Sequence, residues 1–347
     1  MAKRVLITGG AGFLGINLVR HLHAHGYEPV SLDTAPFDYA DMLPHTEVIQ
    51  GDIRDRPVLE KAMSSVDYVV HSAAALALCP EAEIRSVEVY GTRRVLEMAE
   101  RLKLERFVHI STTAVYGVPD HHPLLETDPL DGVGPYGRAK VDAEQLCVEA
   151  RQRGLCVSVI RPKSFVGPER LGIFAVLYDW AQSGKNFPLI GNGKNRYQLL
   201  DVEDLCQAIR LCLEKPVEAV NDVFNIGAAE FATMREDYQA VLDEAGFHKR
   251  AIPFPAAPAI AALRLLDRLK LSPLYPWVYE TAAKDSFVSI ERAKEKLGYA
   301  PQYSNQQALV RNYRWYVENL PKFQNTTGKT HRSPWKQGAL SVIKRAF

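Results

Sequence analysis

The sequence predicts an α/β protein, a doubly wound parallel sheet followed by a smaller mixed α/β C-terminal lobe. Three observations carry this. Over the first 160 residues short β-branched runs alternate with helical stretches, as in a parallel sheet covered on both faces. A glycine-rich turn joins the first such run to the first helical stretch. From about Gly167 the rhythm changes to mixed helices and shorter strands, richer in Pro and Gly. The predicted organisation is a sheet domain over 1–166, a lobe over 167–320 with some interleaving, and a tail over 321–347.

The strands fall at Arg4–Thr8, Pro29–Asp33, Glu47–Gln50, Tyr68–His71, Phe107–Ile110 and Cys156–Ile160, with helices at Gly12–His25, Ile84–Leu102 and Tyr136–Gln152. In the lobe, Pro255–Leu271 reads as an apolar helix with a thin charged face, running into Ser272–Trp277. Ser289–Tyr299 reads as a further helix. The tail, Pro321–Phe347, holds six Lys/Arg and no Asp/Glu. Trp335, Ala339, Ile343 and Phe347 follow each other at i+4 steps, with Lys336, Lys344 and Arg345 nearby. That pattern predicts a basic segment that docks on protein or stays disordered; weak contact with an anionic membrane surface is the alternative.

Composition excludes several classes. Of 347 residues, 47% are hydrophobic and 24% charged, an ordinary globular balance. Lys plus Arg is 42 against 41 Asp plus Glu, which argues against a nucleic-acid binder. No run of 18 apolar residues occurs, so no membrane span is predicted. The chain enters a strand-like segment at once, so no signal peptide is expected. Five cysteines, odd in number and without a C-x-x-C pair, predict reduced thiols in a cytoplasm, with neither a disulfide framework nor a metal site. The adjacent His121 and His122 read as surface residues rather than a metal site.

Thr8-Gly9-Gly10-Ala11-Gly12-Phe13-Leu14-Gly15 follows the first strand and opens a helix. Gly9 permits the tight turn, Gly12 lets backbone amides approach a pyrophosphate, and Gly15 lets helix and strand pack closely; the helix N-terminus favours the negative charge. Asp33 ends the second strand, eighteen residues beyond Gly15, with no Arg directly after it. A carboxylate there accepts hydrogen bonds from ribose hydroxyls and repels a 2′-phosphate, so NAD is predicted over NADP.

Tyr136 and Lys140 lie at i and i+4 on a predicted helix and share a face. An ammonium beside a phenol stabilises the phenolate, so the pair predicts a tyrosine of lowered pKa that serves as acid and base. Ser111-Thr112-Thr113 places hydroxyls just past the fifth strand, at the edge where substrates of open α/β sheets bind.

These motifs, with Gly51-Asp52-Ile53-Arg54-Asp55, His71-Ser72-Ala73-Ala74-Ala75, Val115-Tyr116-Gly117, Pro135-Tyr136-Gly137-Arg138-Ala139-Lys140, Arg161-Pro162, Val166-Gly167-Pro168, Gly191-Asn192-Gly193 and Val202-Glu203-Asp204-Leu205, resemble an extended short-chain dehydrogenase/reductase of the NAD-dependent epimerase/dehydratase family. The likeness covers about residues 3–320, with some similarity to the 3-beta-hydroxysteroid dehydrogenase-like branch. It implies a Rossmann-type domain with Gly9, Gly12, Phe13, Leu14 and Gly15 on the NAD pyrophosphate and Asp33 on the adenosine ribose. It implies Asp52 and Ile53 at the adenine, and Ala73 and Ala74 along the cofactor passage. Thr112 would hydrogen-bond the reacting oxygen, Tyr136 would move its proton, and Lys140 would hold the nicotinamide ribose. It also implies a homodimer through the helices Ile84–Leu102 and Tyr136–Gln152.

Three departures narrow the reaction. Sugar 4,6-dehydratases of the family carry an Asp-Glu pair where this chain has Thr113 and Ala114, so dehydration is not expected and Thr113 is left as a substrate contact. Glu88 stands where the family usually has Asn. The Arg-Asp-aromatic triplet of nucleotide-sugar enzymes is replaced by Asn195-Arg196-Tyr197-Gln198, with Arg196 shifted by about one residue yet able to reach a phosphate. The expected function is epimerisation of a nucleotide-activated sugar by transient hydride transfer to bound NAD. The alternatives are net dehydrogenation or reduction of a hydroxysteroid-like or other apolar alcohol, and a non-catalytic NAD-binding protein, against which the intact Tyr-Lys pair argues.

Overall fold

Val5, Leu6 and Ile7 are fully buried, as a strand covered on both faces requires, and they form the middle of β1 (Arg4–Thr8). The computed structural model describes residues 2–268 and 276–323, and Lys344. After β1 come α1 (Phe13–Ala24), β2 (Glu28–Asp33), β3 (Glu47–Gln50), α2 (Arg56–Met63) and β4 (Tyr68–His71). Next are α3 (Glu81–Arg85), a π-helical turn at Ser86–Gly91, α4 (Thr92–Leu102), β5 (Arg106–Ile110), α5 (Gly134–Gln152) and β6 (Val157–Pro162). The helix predicted at Ile84–Leu102 is thus a longer helical run, starting at Glu81 and widened at Ser86–Gly91.

The chain then forms β7 (Phe165–Val166), α6 (Phe174–Gln182), β8 (Phe187–Ile190) and β9 (Leu200–Asp201). These are followed by α7 (Val202–Glu214), α8 (Val217–Val220), β10 (Val223–Ile226), α9 (Met234–Glu244), β11 (Ala251–Phe254) and α10 (Ala256–Arg268). Last come α11 (Pro276–Thr281), α12 (Glu291–Leu297), α13 (Asn305–Glu318) and α14 (Leu320–Phe323).

Two compact units result. The first comprises the segment ending at Lys163, Val202–Gly227 and Val288–Pro301. Its sheet has the order β3-β2-β1-β4-β5-β6-β10, with every pairing parallel. Two helix groups cover it: α2 packs with α4 and α4 with α5, while α1 packs with α7 and α7 with α12. This is the expected Rossmann-type sheet, completed by a seventh strand, β10, that the sequence reading did not anticipate. Strand order reverses about β1, which pairs with both β2 and β4, so ligands are expected in the crevice past the carboxyl ends of these strands.

The second unit comprises Ser164–Asp201, Ala228–Phe287 and the segment from Gln302. The chain thus passes between the two units several times. Two short parallel pairs, β7 with β9 and β8 with β11, flank a core containing Tyr178, Val241, Leu309, Tyr313 and Tyr316. Thr233 and Ser304 open α9 and α13 with reciprocal caps to Glu236 and Gln307. The apolar helix predicted at Pro255–Leu271 is α10; Leu263 is buried and Leu265 exposed. Residues 269–275, with the end of that predicted helix, and the tail pattern lie outside the described residues, apart from Lys344, whose ammonium pairs with Asp179 and donates to Ser183 Oγ at 2.7 Å. Among the described residues, no helix is long and apolar enough to cross a membrane.

Candidate active site

The turn after β1 is shaped by close backbone approach. Gly9 has φ +74 and its amide donates to Leu32 O at 2.8 Å, tying the turn to β2. A Cβ on Gly15 would sit 2.2 Å from Gly9 O and 2.5 Å from Gly10 O. On Gly12 it would sit 3.1 Å from Gly9 O, and on Gly10 only 2.2 Å from Ser31 Oγ. Gly10, given no role by the sequence reading, is therefore constrained as well, by a side chain of β2 where Gly15 is constrained by backbone carbonyls. The N-terminus of α1 has no side-chain cap and no acidic residue in its first turn. This is a cradle for an anion, and the donor set fits a dinucleotide pyrophosphate. Phe13 and Leu14 bury their side chains, so what they offer a ligand is backbone.

Asp33 ends β2, and its carboxylate accepts from Ala11 N at 3.1 Å and Ala35 N at 2.9 Å, which holds it beside the turn. Asp52 follows β3 and is forked by Arg54 at 3.0 and 2.6 Å; that guanidinium holds its carboxyl below the usual range. Ile53 is buried, with its Cδ1 where a Cβ on Gly91 would come within 2.5 Å. Past β4, Ala73 is partly buried and Ala74 exposed, and the amides of Ser72 and Ala73 donate to Thr8 Oγ1 at 3.2 and 3.1 Å. With both acceptor positions of that hydroxyl taken, its proton goes to His71 Nδ1 at 2.8 Å, and His71 Nε2–H then donates to Thr92 Oγ1 at 3.0 Å. A buried, neutral histidine thus pins the edge from below; burial, aided by Lys140, drives its pKa down to about 3.

The ends of β5 and α5 carry Thr112, Tyr136 and Lys140, the candidate catalytic residues. Thr112 is partly exposed, and its Oγ1 accepts from Ala114 N at 3.2 Å. Neighbouring Ser111 is buried and its hydroxyl donates to Glu144, so of the two Thr112 is the one suited to a substrate. The Lys140 ammonium donates to Ile110 O at 2.9 Å, tying α5 to the end of β5, and lies 6.0 Å from the Tyr136 ring centroid. It also meets Glu88 Oε2 at 2.9 Å, with both side chains buried. Glu88 sits in the π-helical turn and accepts from Ala75 N at 2.9 Å through Oε1. Burial pulls the Lys140 pKa down, but Glu88 and then Tyr136 more than restore it, so the ammonium stays charged. The lowered tyrosine pKa expected from the sequence is corrected here. Burial pushes the Tyr136 phenol up, Lys140 pulls it down and Glu88 pushes it up again, and the balance lies above the ordinary value.

Below the site, Glu144 takes a fork from Arg161 (3.0 Å to Oε1 and 2.6 Å to Oε2), whose Nη1 donates to Tyr116 Oη at 2.8 Å. Lys163, also not foreseen, is buried just past β6, and burial pulls its ammonium down to about 7.

The profile of the NAD dependent epimerase/dehydratase family matches residues 5–227. The chain belongs to this family. Its cofactor is NAD. Family relatives include y4nG of Sinorhizobium fredii, 34% identical over all of this chain and 87% of that protein. The 3 beta-hydroxysteroid dehydrogenase/Delta 5-->4-isomerase of Mycobacterium tuberculosis is 30% identical over 93% of this chain and 92% of its own. Among solved structures, the epimerase Mth375 of Methanothermobacter thermautotrophicus superposes with a TM-score of 0.77 at 25% identity, covering 92% of this chain and 94% of that one.

Against the family pattern, Thr113 and Ala114 occupy a 3-10 turn, Thr113–Tyr116, and bring no carboxyl group past Thr112. Arg196 belongs to the second unit, with its guanidinium 4.7 Å from the Phe231 and 4.9 Å from the Phe287 ring centroid. Among the described residues no carboxylate pairs with that guanidinium. Gln198 is buried, and its amide donates to Ala228 O at 2.8 Å, a structural use.

Proposed function

We propose that this protein is an NAD-dependent epimerase of a nucleotide-activated sugar, acting by transient hydride transfer at a hydroxyl-bearing carbon. The observation carrying this is Tyr136 and Lys140 on one face of α5, past the same sheet edge as Thr112, with no carboxyl pair at Thr113 and Ala114. NAD, when bound, supplies the hydride acceptor and donor. Gly9, Gly12 and Gly15, with the N-terminus of α1, hold its pyrophosphate, and Asp33 its adenosine ribose. Asp52, Ile53, Ala73 and Ala74 line the rest of its path. Thr112 hydrogen-bonds the substrate oxygen. Tyr136 takes that oxygen's proton as carbon gives up hydride, then returns it when hydride comes back to the other face. Lys140 holds the nicotinamide ribose and supports the charged form of the phenol. Arg196, held against a pair of aromatic rings, suits a phosphate, and Thr113 suits a sugar hydroxyl.

Homodimerisation through α4 and α5 and a cytoplasmic location belong to the same reading; exposed Leu102 and Val148 on those helices support the dimer. A second reading, net reduction or oxidation of an apolar secondary alcohol, draws on the steroid-dehydrogenase relative and on the apolar α10. One assay separates the two. The full chain is incubated with UDP-, GDP-, dTDP- and CDP-sugars and with hydroxysteroids, while sugar stereochemistry is read by NMR and absorbance at 340 nm. Inverted sugar without net NADH supports the epimerase; sustained NADH with an alcohol, and no inverted sugar, supports the dehydrogenase. Tyr136→Phe retaining full turnover rules out its assigned role.

A further inference from the structure

Glu88 introduces a full negative charge into a site where the resembling family places a neutral Asn. It is 1% exposed and meets Lys140 Nζ at 2.9 Å. Its other oxygen accepts from Ala75 N at 2.9 Å. A buried ion pair is a poor source of stability, because desolvating two charges cancels most of their attraction. Packing alone therefore does not account for the exchange. The pair's electrical effect falls on its neighbour: the Lys140 ammonium lies 6.0 Å from the Tyr136 ring and is the cation beside that phenol.

We propose that Glu88 is a positioning residue of the site: it fixes the Lys140 ammonium and offsets part of its charge, so that the Tyr136 phenol gives up its proton less readily than it would beside Lys140 alone. The proposal rests on the reading of Tyr136 as the proton-moving group. The remaining charged and titratable groups around the pair leave this balance standing. Glu144, one turn along α5, is saturated by Arg161 and Ser111. His71 on β4 and His109 on β5 are buried and neutral, with burial holding both well below the ordinary imidazole value. Arg85 of α3 is engaged with Asp142 on the exposed side of α5 at 2.9 Å. Burial and Glu88 both raise the Tyr136 phenol against the pull of Lys140. Return of the proton to the keto oxygen, as hydride comes back to its carbon, is thereby the favoured half of the exchange. In the opposite direction Tyr136 gives up its proton first, which becomes easier as pH rises.

The test is ionisation of one phenol in the full-length protein, without substrate. Tyrosinate absorbance at 295 nm is titrated for the wild type and for Glu88→Gln, which removes the charge and keeps an oxygen for Ala75 N. Each is paired with the same chain carrying Tyr136→Phe, and the difference isolates Tyr136. The expected result is a Tyr136 increment displaced downward by about one pH unit in Glu88→Gln, a roughly tenfold change for one charge removed at this range. Glu88→Asn should behave alike. A merely structural ion pair would lower the melting temperature and leave the increment where it was. An unmoved or undetectable increment in folded Glu88→Gln, or failure of both Glu88 variants to fold, overturns the proposal. Loss of the catalytic assignment would instead appear as full turnover in Tyr136→Phe, a separate readout.

Discussion

Gly15 and Gly10 are set by fractions of an ångström. Any side chain at Gly15 drives a carbon into two carbonyl oxygens, at 2.2 and 2.5 Å. Because α1 must pull away from β1 to relieve this, Gly15→Ala should cost about 2–3 kcal/mol, in the range of overpacking, and weaken NAD binding at least tenfold. Calorimetry with NAD and a urea titration measure the two effects. At Tyr136, exchange to Phe keeps the ring and removes the proton; turnover should fall about 100-fold or more, with NAD affinity nearly unchanged. At this scale the sequence is informative about residues whose role is local. The glycine turn, Asp33 and the Tyr136/Lys140 spacing are readable because neighbours in sequence enforce them. Gly10 escaped because its constraint is Ser31 on another strand. Glu88 stood out as a departure, but its partner Lys140 lies 52 residues away and no local pattern joins them.

Between residue and fold, the element that governs the site is α5. Tyr136, Lys140 and Glu144 follow at i, i+4 and i+8 along one face, and Lys140 and Glu144 are each anchored to the sheet edge, by Ile110 O and by Ser111 with Arg161. Arg161 and Glu144 are both buried, so replacing one alone leaves an uncompensated charge. Arg161→Met should cost about 3–5 kcal/mol in a urea titration, whereas Arg161→Met with Glu144→Leu should recover a large part of that loss. Element boundaries in the first half were legible because β-branched runs alternate with amphipathic stretches. The seventh strand was not: Val223–Ile226 is four residues long and pairs with β6, some sixty residues earlier, so its partner rather than its own pattern makes it a strand. The π-helical turn within the run from Glu81 to Leu102 was hidden for a similar reason, since widening by one residue leaves the helical periodicity nearly intact.

For the whole molecule, pH-dependent stability follows from the two buried histidines of the sheet. His71 titrates near 3 in the folded chain and near 6.5 when unfolded, and His109 is likewise depressed by burial. Below about pH 6.5 the unfolded chain therefore binds more protons than the folded one. Stability from this source is complete above that value and is lost as pH falls toward 3. The expected slope between pH 6 and 5 is about 1.4 kcal/mol per pH unit for each histidine. Urea midpoints at pH 7.5 and 5.5 measure it, and a His71→Gln, His109→Gln double variant should flatten the difference.

The route of the chain also constrains how such a protein can be cut and recombined. It passes from one unit to the other after Lys163, Asp201, Gly227, Phe287 and Pro301. A fragment stopped at residue 163 would lack β10 and leave β6 as a bare edge, open to aggregation. No contiguous stretch of gene therefore encodes the complete sheet without part of the second unit. Exchanging the second unit for a relative's would mean transplanting three separate segments together, so a single crossover should yield an insoluble chimera.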